Sequence, residues 1–130
     1  TTGQPWIKVN PRYPEINAAQ ALADPNSIFY YYQKLIQLRK TVPAVVYGVY
    51  DLLLPDHEQI YAFTRTLADE RLVVILNFSA EAADFALPPD IAYRECALLI
   101  ANYPVDRQDD LRRLTLRPYE ARVYRLQPGG

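Results

Sequence analysis

The sequence predicts a mainly β chain: an antiparallel Greek-key β-sandwich of about seven strands, preceded by a loop and one amphipathic helix. Three observations lead there. After Pro43 apolar residues recur with a period of two in a series of short runs. Turn-like clusters separate those runs at short, regular intervals. Before Pro43, one long stretch instead keeps a period near 3.6. A helix ahead of an all-β series implies two structural parts, residues 1–43 and 44–130.

The first stretch, "TTGQPWIKVNPRYPEIN" (1–17), has no periodicity. Trp6 lies between Pro5 and Ile7, and Pro11 and Pro14 stiffen the second half of the stretch. A tryptophan in such a loop can line a pocket or plug an apolar seam, and both readings stay open.

In "ADPNSIFYYYQKLIQLRK", Asp24 is expected as N-cap and Pro25 as the first helical residue, where its missing N–H costs nothing. At about 100° per residue, Ile28, Phe29, Tyr31, Tyr32, Leu35, Ile36 and Leu38 share one half of the cylinder. Tyr30, Gln33, Lys34, Gln37 and Lys40 take the other half. Arg39 falls within the apolar half, so a buried or half-buried ion pair with something outside this segment is expected. Burying that half, at roughly 1.5–3 kcal/mol per large side chain, requires a substantial partner surface. A loop and a helix supply none of their own, so residues 1–43 are expected to be the end of something larger.

The strands come in order: "AVVYGVYDLLL" (44–54), "QIYAFTRTL" (59–67) and "RLVVILNF" (71–78), with "ADE" as a short hairpin loop between the last two. Then come "AADFAL" (82–87), "ECALLIAN" (95–102), "LRRLTL" (111–116) and "EARVYRL" (120–126). In the last of these, Arg122 and Arg125 interrupt the apolar residues, so one side is expected to face water.

Composition narrows the function classes. With 14 basic and 15 acidic residues the net charge is −1, against the basic excess that nucleic-acid phosphates call for. No apolar run approaches the ~20 residues needed to cross a bilayer, so no membrane role is expected. The single cysteine, Cys96, makes no internal disulfide, which fits a reducing cytoplasm.

Candidate chemistry is sparse. Asp56, His57 and Glu58 come after Pro55 between two strands and read as a solvated turn, because nothing supplies an orienting partner for His57. "DRQDD", with Asp106, Asp109 and Asp110, lacks the glycine and spacing of a calcium loop and reads as a charged surface loop. Cys96 reads as an inert thiol in an apolar strand. "FYYY" (29–32) cannot form one sugar-stacking platform, because successive helical residues diverge by about 100°. Catalytic residues, metal ligands and cofactor sites are all expected to be absent from this chain.

Taken in order, "TTGQPWIKVNPRYPEIN", "QALADPNSIFYYYQKLIQLRK", "VVYGVYDLLL", "IYAFTRTL" and "LTLRPYEARVYRL" resemble the C-terminal part of the oligo-1,6-glucosidases. These are α-glucosidases of glycoside hydrolase family 13, the α-amylase superfamily, and the resemblance covers essentially the whole chain. Dextran glucosidases, sucrose isomerases and trehalose-forming enzymes look similar here. The resemblance implies that residues 1–43 end a (β/α)₈ barrel, as the loop after strand eight and the last helix, and that 44–130 form a C-terminal sandwich. The implied partners are the barrel itself and an α-gluco-oligosaccharide substrate. The implied reaction is retaining hydrolysis by an aspartate nucleophile and a glutamate acid/base. None of those carboxylates maps onto this sequence, so the chain alone is expected to be inactive. Only the first loop lies on the catalytic face in that family, which implies Trp6, Lys8 and Asn10 as residues shaping the pocket rim. The family often reads "VNPNY" where this chain has Arg12, so no contact role carries over to position 12. Two other expectations remain: an autonomous α-glucan-binding sandwich using exposed tyrosines, or self-association through the uncovered helix face.

Overall fold

The computed structural model describes residues 2–4, 6–105 and 109–127. The chain divides into two compact units, Thr1–Leu35 and Ile36–Gly130.

In the first unit, the proline-stiffened loop closes on itself. The Asn10 carbonyl accepts from the Tyr13 N–H, and the Arg12 carbonyl accepts from Glu15 and Ile16. A short helix comes next, α1 (Ala18–Ala23), where the sequence pattern predicts only loop. Asn17 nucleates it, its side chain accepting from Gln20 N–H at 2.9 Å. The second helix, α2, spans Ile28–Thr41, so it starts later than the expected N-cap at Asp24 would place it. Asp24 is the C-cap of α1, and its carboxylate accepts from Asn26 N–H at 2.9 Å. Residues 24–27 thus form a turn with the side-chain-to-backbone bond these residue types favour. No residue of α2 is buried. On the apolar half, Ile28 is 78%, Tyr32 61% and Ile36 52% exposed. Arg39 is exposed too and forms no ion pair among the described residues.

The strand expected over 44–54 begins only at Val49. Residues Pro43–Tyr47 form a helix, α3. Pro43 favours that start, and a tertiary contact secures the end. Arg65 donates through Nε to the Ala44 carbonyl and through Nη2 to the Val46 and Gly48 carbonyls, at 3.2, 3.2 and 2.9 Å. A cation on the last carbonyls complements the helix dipole and overrides the β preference of Val45 and Val46. Gly48 joins helix to strand because space demands it. A Cβ there would stand 2.5 Å from the Ala44 oxygen and 3.1 Å from the Thr66 nitrogen.

The remaining strands are β1 (Val49–Leu53), β2 (Ile60–Leu67), β3 (Glu70–Asn77), β4 (Ala83–Phe85), β5 (Glu95–Ala101), β6 (Leu114–Leu116) and β7 (Ala121–Gln127). One antiparallel sheet has the order β1-β2-β3-β7-β5, and β4 pairs with β6 in a second. The chain therefore changes sheets at each step from β3 to β7, and β7 returns between β3 and β5. That is the expected Greek-key sandwich. Its core joins Ile60, Ala62, Val73, Ile75 and Tyr124 of the large sheet to Phe85, Leu114 and Leu116 of the small one. On the large sheet's other face, Leu72 packs with Val42 and Ala44 in a separate cluster that also takes in Leu38 and Leu67. The rest of that outer face carries Tyr50, Leu52, Tyr61 and Phe78, all exposed.

Candidate functional site

The three residues implied at a pocket rim lie on the loop of the first unit, and all are exposed. Trp6 is 94% accessible, and Lys8 and Asn10 are accessible as well. Asn10 also has a local task, its Oδ1 accepting from Arg12 N–H at 3.0 Å. Arg12 pairs with Glu15 at 3.3 Å in an exposed ion pair, an interaction water screens to little net value.

His57 has a structural role. Its Nδ1 accepts from the backbone N–H groups of Gln59 and Ile60 at 3.2 and 3.1 Å. The ring proton therefore sits on Nε2, 3.3 Å from the Asp84 carbonyl on β4. One imidazole thus ties the β1–β2 turn to the second sheet. Cys96 is half-buried, and burial, with the Asp110 carboxylate second, pushes its thiol pKa up, away from the reactive thiolate. Among the described residues, no group of three or more His, Cys, Asp or Glu is placed to hold a metal ion. Asp106 of the acidic loop lies outside the described residues. Asp110 receives Arg112 N–H at 2.9 Å.

The principal charged cluster centres on a residue whose charge argues for an outward position. Arg122, expected to face water, is 4% exposed, and Glu120 is fully buried. Arg122 Nε donates to Glu120 Oε1 at 2.8 Å, and Nη1 donates to Asp109 Oδ2 at 2.6 Å and to Tyr124 Oη at 3.2 Å. The second Glu120 oxygen accepts from Arg117 N–H at 2.8 Å. Asn77, also buried, donates to the Arg117 and Glu81 carbonyls. The bonds of this network end within the sandwich, so it pins the β6–β7 turn, and only Asp109 keeps access to solvent.

Tyr124 gives this network a pH signature. Burial raises its phenol pKa, and the Arg122 bond and charge offset that only in part. Burial also raises the phenols of Tyr31 and Tyr93. A raised folded pKa means the stabilisation is complete below the unfolded phenol pKa of about 10 and is lost as pH rises beyond it. Thermal unfolding midpoints recorded from about pH 8 to pH 11 should fall at the alkaline end. Tyr124→Phe should make that fall shallower, and an unchanged slope would assign it elsewhere.

The exposed outer face is aromatic. Rings of Tyr50 and Phe63 lie 5.2 Å apart, Tyr61 and Phe63 5.4 Å, and Tyr61 and Phe78 6.4 Å. The Tyr50 and Tyr61 hydroxyls meet at 3.0 Å. These rings continue the surface on which α3 packs at the other end of the sheet.

Residues 50–123 match the family model for the maltogenic amylase C-terminal domain, and residues 1–48 match that for the alpha amylase catalytic domain. The oligo-1,6-glucosidase of Parageobacillus thermoglucosidasius is 55% identical over 98% of this chain and 23% of its own length. Among solved structures, trehalose-6-phosphate hydrolase of Bacillus licheniformis superposes with a TM-score of 0.90 at 44% identity, covering 98% of this chain and 23% of that one. Isomaltulose synthase from Klebsiella sp. LX3 superposes with a TM-score of 0.88 at 39% identity, over 98% and 22%. The chain thus spans under a quarter of the length of these three proteins.

Proposed function

This chain belongs to the maltogenic amylase C-terminal domain family, joined to sequence of the alpha amylase catalytic type, and from that premise we propose that it is the C-terminal part of a retaining α-glucosidase. The enzyme hydrolyses α-1,6 or related α-glucosidic bonds of oligosaccharides in the cytoplasm. Residues 1–43 end its (β/α)₈ barrel, and residues 44–130 form the sandwich that supports it. The carrying observation is identity of 55% to an oligo-1,6-glucosidase across 98% of the chain. The exposed Ile28, Phe29, Tyr32 and Ile36 on the apolar half of α2 support the same reading, since a barrel helix with no barrel leaves such a surface uncovered.

The chemistry belongs to the barrel. Retaining hydrolysis needs two carboxyl groups about 5–5.5 Å apart flanking the scissile bond, and this chain contributes none. Its part is mechanical: the outer face of the large sheet, already covered at one end by α3, seats the barrel along its exposed aromatic end. Trp6, Lys8 and Asn10 shape the sugar pocket from the rim. The test uses two proteins, this chain and the longer enzyme with its barrel, each given isomaltose and p-nitrophenyl α-glucoside. The longer protein should release glucose and this chain should not. Turnover by this chain above a buffer control would overturn the division of labour.

The likeness to isomaltulose synthase favours one other reading, an enzyme that rearranges sucrose. Sucrose offered to the longer protein decides: hydrolytic products support the α-glucosidase, an isomeric disaccharide the isomerase.

A further inference from the structure

The inner face of the large sheet is open at the corner formed by β1, β2 and β3, where Val49 and Asp51 are exposed. Two adjoining hollows of about 300 and 440 Å³ open there, and Thr66, Arg71 and Asp90 line both. The register places Thr66 opposite Arg71 and Thr64 opposite Val73, so these side chains share the inner face. α3 packs on the opposite face, against Leu72.

The carboxylates of this groove are exposed, and its polar groups bond little to one another. Arg71 donates through Nε to Thr66 Oγ1 at 3.3 Å, and its remaining side-chain N–H groups have no partner among the described residues. Asp90, Asp69 and Asp51, which line one or both hollows, form no ion pair among the described residues. Thr64 is 4% exposed and lines the larger hollow. Its hydroxyl has no partner among the described residues, although it is not sealed from solvent. The hydroxyl of an otherwise buried side chain thus opens into the hollow, where it can both donate to and accept from a ligand.

We propose that this groove is a secondary saccharide-binding site, separate from the catalytic pocket. The chemistry selects the class. Fixed N–H donors of a guanidinium beside carboxylate acceptors suit vicinal hydroxyls, which both donate and accept. Val49, Leu53 and Ile91 supply apolar wall for the C–H face of a ring. Three carboxylates against one guanidinium repel phosphates and other anions, and the acids are not placed to hold a metal ion. The site rests on the α-glucosidase reading only for which sugar to offer.

The test is a titration of the isotope-labelled 130-residue chain with isomaltotriose, monitored by amide NMR shifts. Saturable shifts are expected at Thr64, Thr66, Arg71 and Asp90, with a dissociation constant of about 1 mM. Arg71→Gln and Asp90→Asn should each weaken binding about tenfold, with the rest of the spectrum unchanged, while Gln37→Asp, exposed on α2, should leave binding intact. An absence of saturable shifts, or shifts confined to the N-terminal loop, would overturn the proposal. So would a response to an arginine-containing peptide or to inorganic phosphate but not to the sugar. Because the readout is binding by this chain and not hydrolysis by the longer enzyme, its failure leaves the α-glucosidase reading standing, and the converse also holds.

Discussion

Replacing Arg122 by leucine is expected to destabilise the chain by about 3–5 kcal/mol, the cost of leaving a buried charge without its counter-ion. Glu120 is fully buried and would lose the guanidinium 2.8 Å away, keeping only the Arg117 N–H. Burial pulls the Arg122 pKa down, but its bonds to Tyr124, Glu120 and Asp109 together hold it above its ordinary value, so the guanidinium stays charged throughout the working pH range. Asp109, half-buried on the same guanidinium, keeps some access to water and matters less. The double variant Arg122→Leu, Glu120→Gln separates charge from packing. The amide oxygen still accepts from Arg117 N–H, no buried charge is stranded at position 120, and most of the lost stability should return. Urea midpoints at neutral pH measure both. Should Arg122→Leu cost under about 1 kcal/mol, or the second substitution restore nothing, the network is not held by charge compensation.

How far the sequence reveals this arrangement depends on how local each signal is. β2, β3, β5 and β7 lie within a residue or so of their expected bounds, because runs of seven or eight strand-favouring residues bounded by turn-like clusters mark them. α3 is not legible. Its five residues include Val45 and Val46, and its end is held by Arg65, 17 to 21 positions away. Nor is the interior place of Arg122: its charge argues for the wet face, whereas the register sets it opposite Ile75, on the core face it shares with Tyr124 and Leu126. The nearest signal is Glu120, two residues before it on the same face. The same limit hides the groove, since Thr64, Arg71 and Asp90 meet only through strand register and a loop that lies far along the chain. The rim residues Trp6, Lys8 and Asn10 come from the resemblance to a family, because an exposed loop has no periodicity from which to read a role.

Placing aspartates at Phe29 and Ile36 should have opposite consequences in two contexts. In this chain Phe29 is 46% and Ile36 52% exposed, so the double substitution should cost no more than about 1 kcal/mol, mostly lower helix propensity. In the longer enzyme the same half of α2 should lie against barrel. There, roughly 1.5–3 kcal/mol of burial is lost at each position, and two carboxylates are forced into a dry seam. Of the roughly 5–15 kcal/mol that holds a typical domain, that is enough to unfold the enzyme or send it into inclusion bodies. Gln33→Asp with Gln37→Asp, exposed on the polar half, provides the control and should be tolerated in both proteins. Soluble yield and urea midpoint are the readouts. Equal tolerance of the Phe29 and Ile36 pair in both contexts would mean that nothing covers this half of the helix, and the assignment of residues 1–43 to the end of a barrel would fail with it.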